Sequence, residues 1–191
     1  MKIAIAILLV LVLEAVAVLV VAFTGIVDVS ATKPDAKIVR WFLETTRDSA
    51  VERQARGLTV PKEQLASREW VELGHSHYQQ MCEGCHGAPG APQSGVAQWF
   101  NPRPPEFYEP EHSIFDEPRE SFWIVKHGLR MTGMPAFGPT LSDEEIWPTI
   151  AFTMILPRIP AEMYRAIQPE AHAQEGEPTG QESGRSPASA D

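Results

Sequence analysis

Both cysteines of this 191-residue chain fall in one heptapeptide, MCEGCHG at 81–87. Four chemistries compete for Cys82, Cys85 and His86. A thioredoxin-like dithiol needs a βαβ surrounding and has no use for the following histidine. A structural zinc site needs four ligands, and no second Cys/His cluster lies at a customary spacing. A disulfide would close a strained ring of very few residues. The remaining pattern, C-x-x-C-H, is the attachment signature of a c-type haem. On one helical turn, positions i, i+3 and i+4 share a face. Two thiols so placed form thioethers to the haem vinyl groups while the imidazole rises beneath the iron. The expected cofactor is one haem c, covalent through Cys82 and Cys85, with His86 as a metal ligand.

An electron carrier also needs a second, fixed axial ligand. The candidates downstream are His112, His127, Met131, Met134, Met154, Met163 and His172. Met134 stands out because it lies in GMPAFG at 133–138. Gly133 permits close backbone approach and Pro135 fixes the following turn, so the methionine sits on a stiff, non-helical loop. That presents a ligand well and fills a core badly. Met131 is the runner-up, and Met154 reads as an ordinary core filler.

The elements that position these residues begin at the N-terminus. Thioether attachment occurs after export, so the chain should carry an export signal. Residues 3–23 read IAIAILLVLVLEAVAVLVVAF, 21 residues with one charge, Glu14. At about 1.5 Å per residue this crosses a hydrocarbon core of about 30 Å. It exceeds the apolar stretch of a cleavable signal peptide, although Val29-Ser30-Ala31 would suit cleavage. An uncleaved anchor over 1–25 is expected. Lys33, Lys37 and Arg40 follow the span, which by the positive-inside rule alone favours the reverse topology. The haem signature outweighs this and places the remaining chain in the periplasm of a bacterial inner membrane. Glu14 either is carried by its apolar neighbours or faces a polar group on another membrane subunit.

Residues 26–60 form a juxtamembrane amphipathic helix and linker, with Pro34 and Asp35 near the helix start and Gly57 at its end. Ile38, Trp41, Phe42, Val51 and Ala55 are expected on one face, and Arg40, Glu44, Arg47 and Asp48 on another. The apolar face meets the bilayer surface, a partner or the haem domain. The compact domain should span 61–165. The tail, 166–191, is rich in Pro, Gly, Ser and Glu and too poor in large apolar residues to fold. The net charge of −9 divides as +1 up to residue 59, −6 over 60–167 and −4 beyond. An acidic domain argues against nucleic acid as a partner.

The segment from Trp70 to Pro157 resembles a class I c-type cytochrome of the membrane-anchored monohaem proteobacterial kind. The resemblance rests on Gly74 and Tyr78 ahead of CEGCHG, then Pro104-Pro105, FWIVKHGLRMTGMPAFG at 122–138 and LSDEEIWPTIAF at 141–152. It implies an all-α fold around one covalent haem, preceded here by the transmembrane and juxtamembrane helices. It also implies that a helix ending at Cys82 crosses a C-terminal helix near Gly74, with Tyr78 packing on Phe152. By the same resemblance, the Pro105 backbone carbonyl accepts from Nδ1–H of His86.

The residues add detail. Ser142 and Glu145 form a capping box for a helix from Asp143 to about Leu156, with Pro148 disturbing its first turns. Asp116 and Pro118 start a helix that ends at Gly128. Phe122, Trp123 and Val125 are wall or core. Lys126, His127 and Arg130 meet either the haem propionates or only water. His75 and His77 are expected to face solvent.

With His86 and Met134 both bound, no iron position is open to substrate, and Met/His ligation suits electron transfer. The sequence carries no hydride-transfer fingerprint, nucleophile triad or second cofactor motif. The expectation is an electron-transfer protein rather than an enzyme in itself. It would work as a tethered carrier or as a subunit of a respiratory or photosynthetic complex. The alternative is a haem sensor or peroxidase-like enzyme with a labile distal methionine.

Overall fold

The computed structural model describes residues 1–109 and 117–167. His112, Asp116, His172 and the tail beyond Ile167 lie outside the described residues. Helix α1, Lys2–Thr24, is apolar apart from Lys2, Glu14 and Thr24 and has no buried residue; it is long and apolar enough to cross a membrane. Gly25 ends it at φ 65°, the left-handed conformation that glycine adopts without strain. Helix α2, Lys37–Ala55, follows, and then the short turn α3, Lys62–Leu65.

Helix α4, Arg68–Met81, runs into α5, Glu83–His86, the turn that carries the C-x-x-C-H residues. Ser67 caps α4, its hydroxyl accepting from the Trp70 N–H at 3.2 Å. Helices α6, Pro118–His127, and α7, Asp143–Ile155, complete the frame, with α8, Ala161–Ala166, closing the end. Among the described residues there is no β-strand, only an isolated bridge between Ala88 and Ala91. The all-α expectation holds.

The crossing of α4 and α7 is the centre of the fold. Gly74 touches the α7 backbone at Pro148, and Tyr78 lies against Phe152 with ring centroids 5.5 Å apart. Helix α7 begins at Asp143 as the capping box requires: the Ser142 N–H donates to the Glu145 carboxylate at 2.8 Å. Pro148 sits inside this helix without breaking it. Its missing N–H leaves the Glu144 carbonyl without its helical donor, and the next carbonyl, of Glu145, accepts from His77 Nδ1–H on α4 at 3.1 Å. One core cluster gathers Tyr78, Phe107, Phe152, Leu156 and Tyr164. A second centres on Phe122 and Trp147, stacked at 4.2 Å, with Leu58, Val60 and Leu65 against them.

Three expectations need correction. His75 is not solvent-facing but fully buried, edge-on to Phe152 at 5.1 Å and to Tyr164 at 4.9 Å. His77 is half-buried by its bond to Glu145. In α2, the presumed apolar face is two faces. At about 100° per residue, Val51 and Ala55 lie on the side opposite Ile38 and Phe42. Val51 and Ala55 are buried, whereas Ile38, Trp41 and Phe42 are all exposed.

Candidate haem site

A cavity of about 780 Å³ opens between the α4–α5 corner, α6, α7 and the loop after α6. Cys82, Cys85, His86 and Met134 all line it. Ile124, Val125, Leu129 and Ile150 make much of the remaining wall apolar. The volume is in the range of sites for large cofactors.

His86 is held from two sides. Its Nδ1 lies 2.9 Å from the Pro105 carbonyl oxygen. A carbonyl only accepts, so Nδ1 carries the proton and the Nε2 lone pair is left free. Burial holds this imidazole below its ordinary pKa, with the Pro105 bond pulling the other way. The neutral form, the one that binds a metal, is thereby favoured. On its face, the ring stacks on Phe107 at 4.1 Å.

The Pro104-Pro105 segment is itself anchored. Buried Gln93 donates to the Pro104 carbonyl at 2.6 Å and accepts from Arg103 Nε at 2.6 Å. Arg103 continues to Glu106 at 2.7 Å. Nothing in the sequence marks Gln93 for this work, since a lone glutamine in a loop carries no pattern. Tyr78 donates to the Gly87 carbonyl and Tyr164 to Glu83 at 2.7 Å, pinning both ends of the haem-signature turn.

Met134 sits in a loop stitched to α6. Leu129 N–H donates to the Met134 carbonyl at 3.2 Å, and the Met134 N–H donates to the Thr132 hydroxyl at 3.1 Å. Farther along, Phe137 and Gly138 N–H groups return to the carbonyls of Val125 and Lys126. Gly128, at φ 68°, lets this loop close: a Cβ there would stand 2.9 Å from the Met134 carbonyl oxygen. Met131, the runner-up, is 89% exposed and is not on the cavity wall.

Other assignments fall differently. Lys126 pairs with Asp143 at 2.6 Å, while His127 and Arg130 are exposed, and none of the three lines the cavity. Among the described residues, the cations that do line it are Arg47 and Arg103. Met154 and Met163 are exposed and away from the cavity, so Met154 is not the core filler expected.

The surroundings of Cys82 disfavour a reactive thiolate. Cys82 is pushed up to about 12, by burial first and then by Cys85. Dithiol exchange needs a low-pKa, reactive thiolate. No group of three or more His, Cys, Asp or Glu suited to a metal ion occurs among the described residues. The donor set suits haem instead: two thiols, a neutral imidazole with one free lone pair and a thioether, all on one largely apolar cavity.

The model of the family described as cytochrome C oxidase, cbb3-type, subunit III matches residues 70–152. No curated protein matches the chain. Among solved structures, a chain from the Kuenenia stuttgartiensis reducing HAO-like protein complex is similar at 24% identity and a TM-score of 0.43. The likeness covers 52% of this chain and 47% of that one, so this chain spans about half the length of its structural neighbour. The matched segment contains the α4–α7 crossing, the C-x-x-C-H turn and the Met134 loop, and over these residues the chain is similar to that cytochrome family.

Proposed function

We propose that this chain is a membrane-anchored, periplasm-facing monohaem cytochrome that passes single electrons between redox proteins. In this reading Cys82 and Cys85 would hold the haem by thioethers, His86 and Met134 would ligate its iron, and residues 61–165 would be the domain that carries them. A haem iron held by histidine and methionine supplies one-electron chemistry with a raised potential.

The chain's own residues supply the rest. Pro105 fixes the tautomer of His86, and Phe107 fixes its ring plane. The bond from the Leu129 N–H and the one that the Met134 N–H gives to the Thr132 hydroxyl fix the Met134 backbone, which would hold the thioether in place. Apolar side chains from α6 and α7 keep water from much of the cavity. The observation that carries the reading is that both cysteines, His86 and Met134 line one cavity.

The test is ligand binding by the reduced protein. Unmutated protein should not bind carbon monoxide rapidly, whereas Met134→Ala should bind it stoichiometrically and show a markedly lower potential. Rapid binding by the unmutated protein would sink the six-coordinate reading and favour a sensor or peroxidase-like role. A haem-stained native gel of gently solubilised membranes then separates a free carrier from a subunit: the first runs near monomer mass, the second with its redox partners.

A further inference from the structure

Helix α2 lies outside the segment that matches the cytochrome family, yet it forms part of the cavity wall. Glu44, Arg47, Asp48 and Val51 line the cavity, spaced i, i+3, i+4, i+7 on one helical face. Ala55, one turn on, continues that face and is fully buried. The helix packs along α6 and makes no comparable contact with α4 or α5 among the described residues. It therefore lines the cavity without packing along the elements that carry Cys82 and Cys85.

A haem tied by its vinyl groups at Cys82 and Cys85 turns its two carboxylates toward the opposite edge of its ring. A carboxylate there needs a cation or water, since burying it unpaired is costly. Arg103 already engages Gln93 through Nε and Glu106 through Nη2. Among the described residues, Arg47 engages only Asp48, its neighbour in sequence, through Nε at 2.7 Å. The rest of its guanidinium fork, suited to bidentate carboxylate binding, remains for a ligand. Its side chain is 35% exposed, so it stands at the rim rather than in solvent.

We infer that Arg47 of the juxtamembrane helix binds a haem propionate, which makes α2 a working wall of the cofactor site rather than a spacer. The inference rests on the haem c reading above. It assigns to a residue outside the cytochrome segment both a cofactor contact and an influence on the potential. A guanidinium beside a propionate keeps that carboxylate ionised to lower pH and favours the less positively charged, reduced iron.

The experiment uses full-length protein from membranes, with haem content read from the alkaline pyridine spectrum and the potential measured from pH 5 to 8. Arg47→Gln should keep its covalent haem, show a lower potential at neutral pH, and move the inflection of the potential–pH curve to higher pH. Arg47→Lys should restore the potential in large part. If Arg47→Gln is not matured, Arg47→Lys serves instead: a point charge in place of the fork should shift the inflection less, but in the same direction. A haem-loaded variant whose potential–pH curve superimposes on that of the unmutated protein overturns the inference alone. Absence of covalent haem from the unmutated protein overturns the cytochrome reading, and the inference with it.

Discussion

Gly74 on α4 and Pro148 on α7 meet backbone to backbone: a Cβ on Gly74 would fall 2.0 Å from the Pro148 carbonyl oxygen. The same Cβ would stand 2.9 Å from Phe152 Cβ. Helical contact this close is possible only without a side chain, and the two helices draw together there.

Gly74→Ala should therefore destabilise the fold by about 3 kcal/mol or more, despite the roughly 1 kcal/mol that alanine gains over glycine inside a helix. Its obstacle is a backbone atom, which cannot rotate away. Gly57→Ala is the control, because a Cβ there meets nothing within 4 Å. Thermal unfolding of the two variants should separate them clearly, and equal melting temperatures would refute the crossing.

Met131 and Met134 should respond in opposite ways. Met131 is exposed with φ 62°, a left-handed conformation costly for a side-chain-bearing residue. Met131→Gly should stabilise the protein by about 1 kcal/mol and leave the visible spectrum and potential unchanged. A changed spectrum in Met131→Gly would reopen the identity of the axial ligand.

His75 makes the core acid-sensitive. Among the described residues, neither ring nitrogen has a partner of hydrogen-bonding geometry, although the Tyr164 backbone and the Glu83 charge face it. Burial holds it below its ordinary 6.5 and outweighs both. The folded chain thus keeps His75 neutral where the unfolded chain takes up a proton. Its full contribution is present above pH 6.5 and falls as pH drops below that value. His75→Leu should flatten this part of the stability profile and gain about 1–3 kcal/mol by removing two unpartnered nitrogens. Parallel profiles for the two proteins from pH 7 to 5 would contradict it.

Glu120 has the opposite sign. Burial first, then Glu117 and, from α2, Glu52 and Asp48, hold its carboxyl above 4.5. Such a group contributes most when protonated, below pH 4.5, and its contribution is lost as pH rises through the higher folded value. Glu120→Gln should raise the melting temperature at pH 7 more than at pH 4.5. A uniform gain at both would mean that the carboxylates of α2 and α6 do not face each other.

How far the sequence could be read is clearest at α4. Gly74, Tyr78 and Cys82 announce their face by spacing i, i+4, i+8, and the structure uses that face. His75 lies about 20° from Cys82 on the same wheel, so the wheel itself places it inside; polarity alone suggested solvent. The loop residues around Met134 were legible because Gly133 and Pro135 constrain a backbone locally.

Helix α2 was not legible in the same way. Its inward face carries Glu44, Arg47 and Asp48, which read as a solvated stripe until a cofactor cavity is known to lie against it. Gln93 was equally silent, because its two partners, Pro104 and Arg103, are brought to it by the loop's path and not by any periodicity.

The docking of α2 also limits where the cofactor can go. Residues 25–36 alone separate it from α1, and fully extended they reach only about 40 Å. Were α1 held in a bilayer, as proposed, with Val51 and Ala55 fixing α2 to the domain, the haem would stay within that linker's reach of the lipid. Its encounters with a partner embedded in the same membrane become a search over an area rather than through a volume. Such confinement raises the local concentration of any partner whose docking site lies at that height, and excludes any whose site stands beyond it.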